Sequence, residues 1–313
     1  MKQILSEKML KRDVKCSNQQ FMTEFFGEHL DKGDGVAWTT AFDGDPLTEK
    51  GVWSGEPLTG RALSGAVGNV LGPEAANRNT YVAVSVFEKN AAGRRKENFV
   101  MQVIVGIDDV GPGASAKVSL DRIKLKPTSV VETSPGNYQV LYKTYIRDRE
   151  TADKLVKALV FQGLLADKDP GMIGVKRYLR LPNGINGKPV YDDHGKPFQV
   201  KLRYWHPGKT YSVDELVEAF GLDLDAVEVF DGDSRPSKIM NWREDPFLEL
   251  FEIRGDGPDR LPHKPNAGGS AWVHVHCPWV HEHTDREPSG AGYCAGSHGF
   301  KCHHGHCEGR GIK

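Results

Sequence analysis

The chain has 313 residues, 38% hydrophobic and 27% charged, with 41 Lys and Arg set against 42 Asp and Glu. That length admits two domains, the composition is ordinary for a soluble globular protein, and no window approaches the roughly 18 apolar residues of a membrane span. A net charge of -1 excludes capture of nucleic acid by whole-molecule electrostatics, so any such function must rest on local patches.

The opening MKQILSEKMLKRD is charged and helix-like and lacks the apolar core of a secretion signal, which predicts a soluble cytoplasmic protein with no membrane partner. Residues 20–70 are rich in Gly with scattered aromatics (Phe25, Phe26, Trp38, Phe42, Trp53) and read as short elements packed on a larger sheet. Four runs of strand character follow: TYVAVSVF (80–87), FVMQVIVGI (99–107), YQVLYKTYI (138–146) and FQVKLRYW (198–205). Between the last two, TADKLVKALVFQGLLAD (151–167) puts apolar residues at 155, 156, 159 and 160 on one helical face, with Gly163 where the helix frays. Ser212-Val213-Asp214-Glu215 is a capping box that starts a further helix. The stretch 223–270 is dense in Asp, Pro and Gly and reads as connector. The fold class is therefore α+β (α/β): a mixed sheet with flanking helices over residues 1–215, a helical or linker connector over 216–268, and a small zinc-binding module over 269–313.

Three constellations carry chemistry. FVMQVIVGIDDVG ends a strand in Asp108-Asp109, and clustered carboxylates are what a hard divalent cation such as Mg2+ or Mn2+ needs. Adjacent strand residues alternate in facing, so the two acids are expected on opposite faces. The bland alternative is a solvated Asp-Asp turn. Next, Ser134-Pro135-Gly136-Asn137 is a turn followed at once by Gln139, and bared turn amides beside a carboxamide can cradle a phosphate or ribose. The alternative is an ordinary hairpin with Gln139 in solvent. Last, DKDPGMIGVKRYLRLPNGINGK (167–188) sets Arg177 and Arg180 three apart, with Asn186 and Lys188 after a Gly-containing turn; these are donors suited to triphosphate oxygens, and Asp169 offers a third carboxylate. From Gly171 to Trp205 seven basic residues face two acids, yet a solvated basic loop would show the same bias. GPGASAKVS (111–119) imitates a phosphate-binding P-loop and fails as one, because Ala116 replaces the second Gly and Val118 the hydroxyl.

The tail is distinctive. Four of five Cys (277, 294, 302, 307) and eight of twelve His lie within residues 269–313. Thiolate and imidazole at short spacing point to a structural zinc site. Cys277-x5-His283 and Cys302-x4-Cys307 are the expected ligand pairs, with His304 the main rival and Cys294 and His298 weaker ones.

Taken in order, the hhDD strand end, S-x-G-N-Y-Q and D-P-x(6)-R-x-x-R-L-P-x-G-x-N-x-K resemble the archaeo-eukaryotic primase (AEP) superfamily, in the RepB-like form carried by phages and plasmids, over roughly residues 75–205. The tail resembles the CPW...HT...FxCxHxxC zinc module that follows the catalytic domain in such phage primases. The resemblance implies an RRM-like catalytic domain that works as a DNA primase-polymerase, a nucleotidyltransferase using NTP or dNTP on a single-stranded DNA template in a bacterial host's cytoplasm, with a replicative helicase as a possible partner. It implies metal ligation by Asp108, Asp109 and Asp169, and nucleotide binding by Ser134, Asn137, Gln139, Arg177, Arg180, Asn186 and Lys188. Two departures stand out: the acidic pair is adjacent where one residue usually intervenes, and Gln139 stands where His is commoner. A non-catalytic zinc-containing single-stranded-DNA-binding protein is the alternative, and a zinc-dependent nuclease a third reading.

Overall fold

A computed structural model describes residues 4–165, 174–225, 227, 251, 271–283, 291–295, 299–302 and 307. Asp169, His298, His303, His304, His306 and most of the predicted connector lie outside the described residues. The chain divides into two compact units, Met1–Val229 and Phe230–Lys313. Among the described residues no helix is long and apolar enough to cross a membrane.

The first unit is built on an eight-stranded sheet. Its strands are β1 (Val36–Phe42), β2 (Glu56–Leu58), β3 (Asn79–Phe87), β4 (Phe99–Val110), β5 (Ser129–Ser134), β6 (Asn137–Ile146), β7 (Tyr178–Arg180) and β10 (Lys201–Trp205), while β8 (Ile185–Asn186) and β9 (Phe198–Gln199) form a separate pair. The order is β10-β5-β6-β4-β3-β1-β2, with β7 on β3. The α+β class holds. Among the described residues all the ladders are antiparallel, and the parallel component is a bridge between Val110 and Val118.

All four predicted strands are present, the last one broken at Val200 into β9 and β10. Alternation along each strand explains why both faces are covered. Val105, Ile107, Val140 and Tyr142 pack with Leu155, Val156 and Leu159 of a helix, Arg149–Phe161, and with Leu216 and Phe220 of another, Val213–Phe220. Asp148 caps the first of these helices, which stops at Gln162 because Gly163 turns left-handed (φ 65°). The predicted Ser212–Glu215 capping box opens the second. On the other face Leu141, Val82, Val84 and Leu179 meet the aromatics Phe21, Phe25 and Phe26, carried on a helix-π-helix run over residues 18–32.

One irregularity positions the site. β3 pairs with β4 only from Ser85 to Phe87, and over Tyr81–Ala83 its partner is β7 instead. The carboxyl half of β4 thus leaves β3, and Arg177 Nη2 reaches the Gly106 carbonyl at 2.5 Å across the opening. Gly106 allows this close approach: a Cβ would sit 3.0 Å from both Leu141 Cδ2 and Leu179 Cδ1 and 3.2 Å from Arg177 Nη2, so all three side-chain ends would have to give way.

In the second unit β11 (Ala271–His274), β12 (Ala291–Ala295) and β13 (Gly299–Cys302) form an antiparallel sheet in that order. Among the described residues Val273, Val275 and Tyr293 are buried, with Phe251 stacked on Tyr293 at 5.1 Å and on Phe300 at 5.6 Å.

Candidate active site and metal centre

The carboxyl end of β4 carries Asp108 and Asp109, and strand alternation would separate them. Asp109 instead adopts a left-handed conformation (φ 54°), and the pairing register slips between Ile107 and Val110. Asp108 Oδ2 accepts from Gln139 Nε2 at 3.2 Å, and Asp109 Oδ1 accepts from Asn137 Nδ2 at 2.9 Å. Asn137 and Gln139 are two apart on β6 and share a face, so both acids reach the same side and the opposite-face expectation is corrected. The cause is the bulge. Asp109, itself one of the two acids, is a non-Gly residue held left-handed, which is strain of the kind that gathers at functional sites.

Like charges this close are costly. Desolvation first, and the Asp109 charge second, push the Asp108 carboxyl up from the usual carboxylate range. The Asp109 N–H, the Gln139 amide and the positive charge of Arg177 pull it back. Burial pulls the Arg177 guanidinium down to about 10, opposed by the Asp108 charge, so it remains a cation at neutral pH.

Gln139 is 5% exposed and both ends of its amide are engaged. Its Oε1 accepts the Arg180 N–H at 3.1 Å, which forces its NH2 toward Asp108. It is thus an orienter of the carboxylate, neither the solvent-facing group nor the open cradle that its sequence position suggests. We expect Gln139→Leu, which strands the Arg180 N–H and one Asp108 acceptor, to cost about 1–3 kcal/mol of stability, read from urea unfolding midpoints.

The Ser134–Asn137 turn also differs from expectation. Its amides are not bare, because Gly136 N–H donates to Glu132 Oε1 at 2.9 Å and Gly136 O accepts from Gly113 N at 2.9 Å. Ser134 and Asn137 are 2% and 4% exposed. Two loops meet backbone to backbone here: a Cβ on Gly111 would lie 2.3 Å from Gly136 O, one on Gly113 2.5 Å from Pro135 O, and one on Gly136 3.1 Å from Gly113 N.

The two arginines are brought to the site but are buried, at 3% and 6% exposure. Arg180 donates to Asn79 Oδ1 (3.2 Å), Ile185 O (2.8 Å) and Asn186 Oδ1 (2.9 Å), and its guanidinium lies over the Tyr81 ring at 4.6 Å. Asn186 in turn donates to Thr133 O and accepts from the Lys188 N–H. Arg180 therefore braces the Asn186–Lys188 turn, with its donors committed inward, which corrects the picture of a free bidentate clamp. Lys188 is partly exposed.

Sequence reasoning missed Asn79, Ser115, Lys117 and Tyr191. Ser115 Oγ accepts from Asn137 Nδ2 at 3.0 Å and lies 3.1 Å from the Tyr191 hydroxyl, while Lys117 Nζ stands 2.6 Å from Asp109 Oδ2. The signal for two of them lay in the dismissed P-loop mimic, where a Ser and a Lys follow an acidic strand end by only a few residues.

In the second unit Cys277, His283, Cys302 and Cys307 place one ligand atom each within 4.8 Å of the others. Cys277 Sγ to Cys307 Sγ is 3.7 Å, and His283 Nε2 lies 3.6 Å from Cys307 Sγ and 3.9 Å from Cys302 Sγ. A tetrahedron with metal–sulfur bonds of about 2.3 Å has edges of about 3.8 Å, so three thiols and an imidazole fit zinc with no position left open. Burial pushes the Cys277 thiol up to about 12 in the metal-free cluster, so metal uptake must expel protons. The rival Cys294 sits on β12 opposite Trp272 and Gly299.

The family model of the RepB DNA-primase N-terminal domain matches residues 68–227. Three solved structures are similar. The AEP domain of the cyanophage S-2L primase-polymerase (PrimPol) shares 14% identity at a TM-score of 0.42, over 62% of this chain and 93% of that one. Primase RepB′ shares 20% at 0.38, over 65% of this chain and 62% of its own. The catalytic domain of primase RepB′ in complex with initiator DNA shares 20% at 0.37, over 66% and 94%. No curated protein matches the sequence.

Proposed function

The chain belongs to the RepB primase family, and on that footing we propose that it is a DNA primase-polymerase that transfers nucleotides from NTP or dNTP onto a primer strand directed by single-stranded DNA. The observation that carries this reading is the pair of carboxylates, Asp108 and Asp109, turned to one face by a bulge and fixed by Gln139 and Asn137. Each carboxylate keeps oxygen lone pairs beyond its amide bonds, and two such acids suit Mg2+ or Mn2+. Bound there, the ion would neutralise polyphosphate charge and make the attacking hydroxyl more acidic.

The chain's own groups do the remainder. Arg177 and Arg180 set buried positive charge near Asp108, and the Arg177 charge opposes the desolvation that pushes this carboxyl up. Lys188, held by Asn186, is the cation on the rim for the polyphosphate. Ser134 and Asn137 shape the floor, and Asp169 is assigned as a third acid on its place in the motif. The cluster of Cys277, His283, Cys302 and Cys307 is assigned to zinc, with the module holding template or first nucleotide.

The test is incubation with single-stranded DNA, labelled nucleotides and Mg2+ or Mn2+. Template-dependent products support the reading. Tight DNA binding without synthesis would return the non-catalytic alternative, and strand cleavage the nuclease.

A further inference from the structure

The loop that fails as a P-loop, Gly111–Lys117, folds back onto the acidic end of β4. The N–H groups of Lys117 and Val118 both donate to the Asp109 carbonyl, at 2.7 and 3.0 Å, and Gly111 N–H returns to Val118 O at 2.8 Å. This closure carries the Lys117 ammonium to 2.6 Å from Asp109 Oδ2, while Asn137 holds the other oxygen. The pair is open to water, the Lys117 side chain being 59% exposed and that of Asp109 29%.

We propose that Lys117 is a positioning residue that competes with the divalent cation for Asp109: it holds the carboxylate aimed before loading, and the ion displaces it. This rests on the reading of Asp109 as a metal ligand. A hard cation bound to Oδ2 cannot share that oxygen with an ammonium without strong like-charge repulsion. Displacement is cheap for the lysine, because an exposed ion pair on a flexible four-carbon stem is worth little. The consequence is an order of events. A site whose intrinsic affinity is lowered by a resident ammonium fills well only when phosphate oxygens of the nucleotide arrive to add ligands, which suits an ion that is ordinarily held by one or two carboxylates plus substrate phosphates.

The experiment is Mn2+ binding, followed by the paramagnetic resonance of free Mn2+, to the full chain without DNA or nucleotide. Lys117→Met is expected to bind Mn2+ about fivefold or more tightly than the unaltered protein, equivalent to about 1 kcal/mol. Lys117→Arg should restore the original affinity, and Asp109→Asn should weaken it. Equal or weaker binding by Lys117→Met, with Asp109→Asn still weakened, overturns the role of the lysine and leaves the metal site standing. Unchanged binding by Asp109→Asn overturns the metal reading itself, and the lysine's role with it.

Discussion

Asp108→Ala should reduce primer synthesis by at least about a hundredfold while leaving the fold intact. Removal of a group that stabilises transition-state charge in a partly desolvated site typically costs about 3–4 kcal/mol, or two to three orders of magnitude in rate. Asp109→Ala should also lose activity, by a different amount, because Asp109 is more open and its second oxygen is shared with Lys117. Asp108→Asn is the sharper variant. It relieves a desolvated negative charge but turns an NH2 at one of two donors, the Asp109 N–H or the Gln139 amide, so these contributions oppose and the melting temperature should move little while synthesis is lost. A gel assay of templated products beside a thermal melt separates the two effects. Full synthesis by both Ala variants would remove these acids from the chemistry.

Stripping the metal from the second unit should unfold that unit alone. Phe300 packs on Phe251 and also against the cluster of Cys277 and Cys307, so the described apolar core of that unit is organised around the metal ligands. Structural zinc contributes on the order of 10 kcal/mol in small modules. One zinc per chain is expected on metal analysis, with most of it lost in Cys302→Ser and retained in Cys294→Ser. Near-ultraviolet dichroism of chelated protein should lose the signals of Trp279 and Tyr293 while the eight-stranded sheet persists. Synthesis from an unprimed template should suffer more than extension of an existing primer. Zinc kept by Cys302→Ser and lost by Cys294→Ser would reverse the ligand assignment.

Much of the fold was legible because it follows periodicity. β3, β4 and β6 are long apolar runs, the Ser212–Glu215 box is a local hydrogen-bond pattern, and Gly163 ends its helix for a backbone reason. The cysteine spacings pointed to the same four side chains that cluster in the second unit. What escaped were long-range pairings. No local pattern says that β7 replaces β4 beside Tyr81, or that Asp109 turns left-handed and brings both acids to one side. Nor could it show that Gln139 and Arg180 spend their polar groups on neighbours, since the donors and acceptors that satisfy them, Asn79, Ile185 and the Arg180 amide, are brought there by tertiary structure. Polar residues in a candidate site read from sequence as hands extended to a ligand. Here several are the joints of the arm.

The backbone meeting of the Gly111–Gly113 segment with the Pro135–Gly136 turn has a consequence for anyone recombining this domain with relatives. A methyl group on Gly111 or Gly113 collides with main chain of the Pro135–Gly136 turn, and one on Gly136 would crowd Gly113 N from a left-handed backbone, so the two loops fit only as a pair. A chimaera that imports one loop alone inherits a mismatch against the acidic strand end. The exchangeable unit is the pair, residues 108–118 together with 132–139, and a transplant that respects it carries the carboxylates, their amide orienters and the lysine as one cassette.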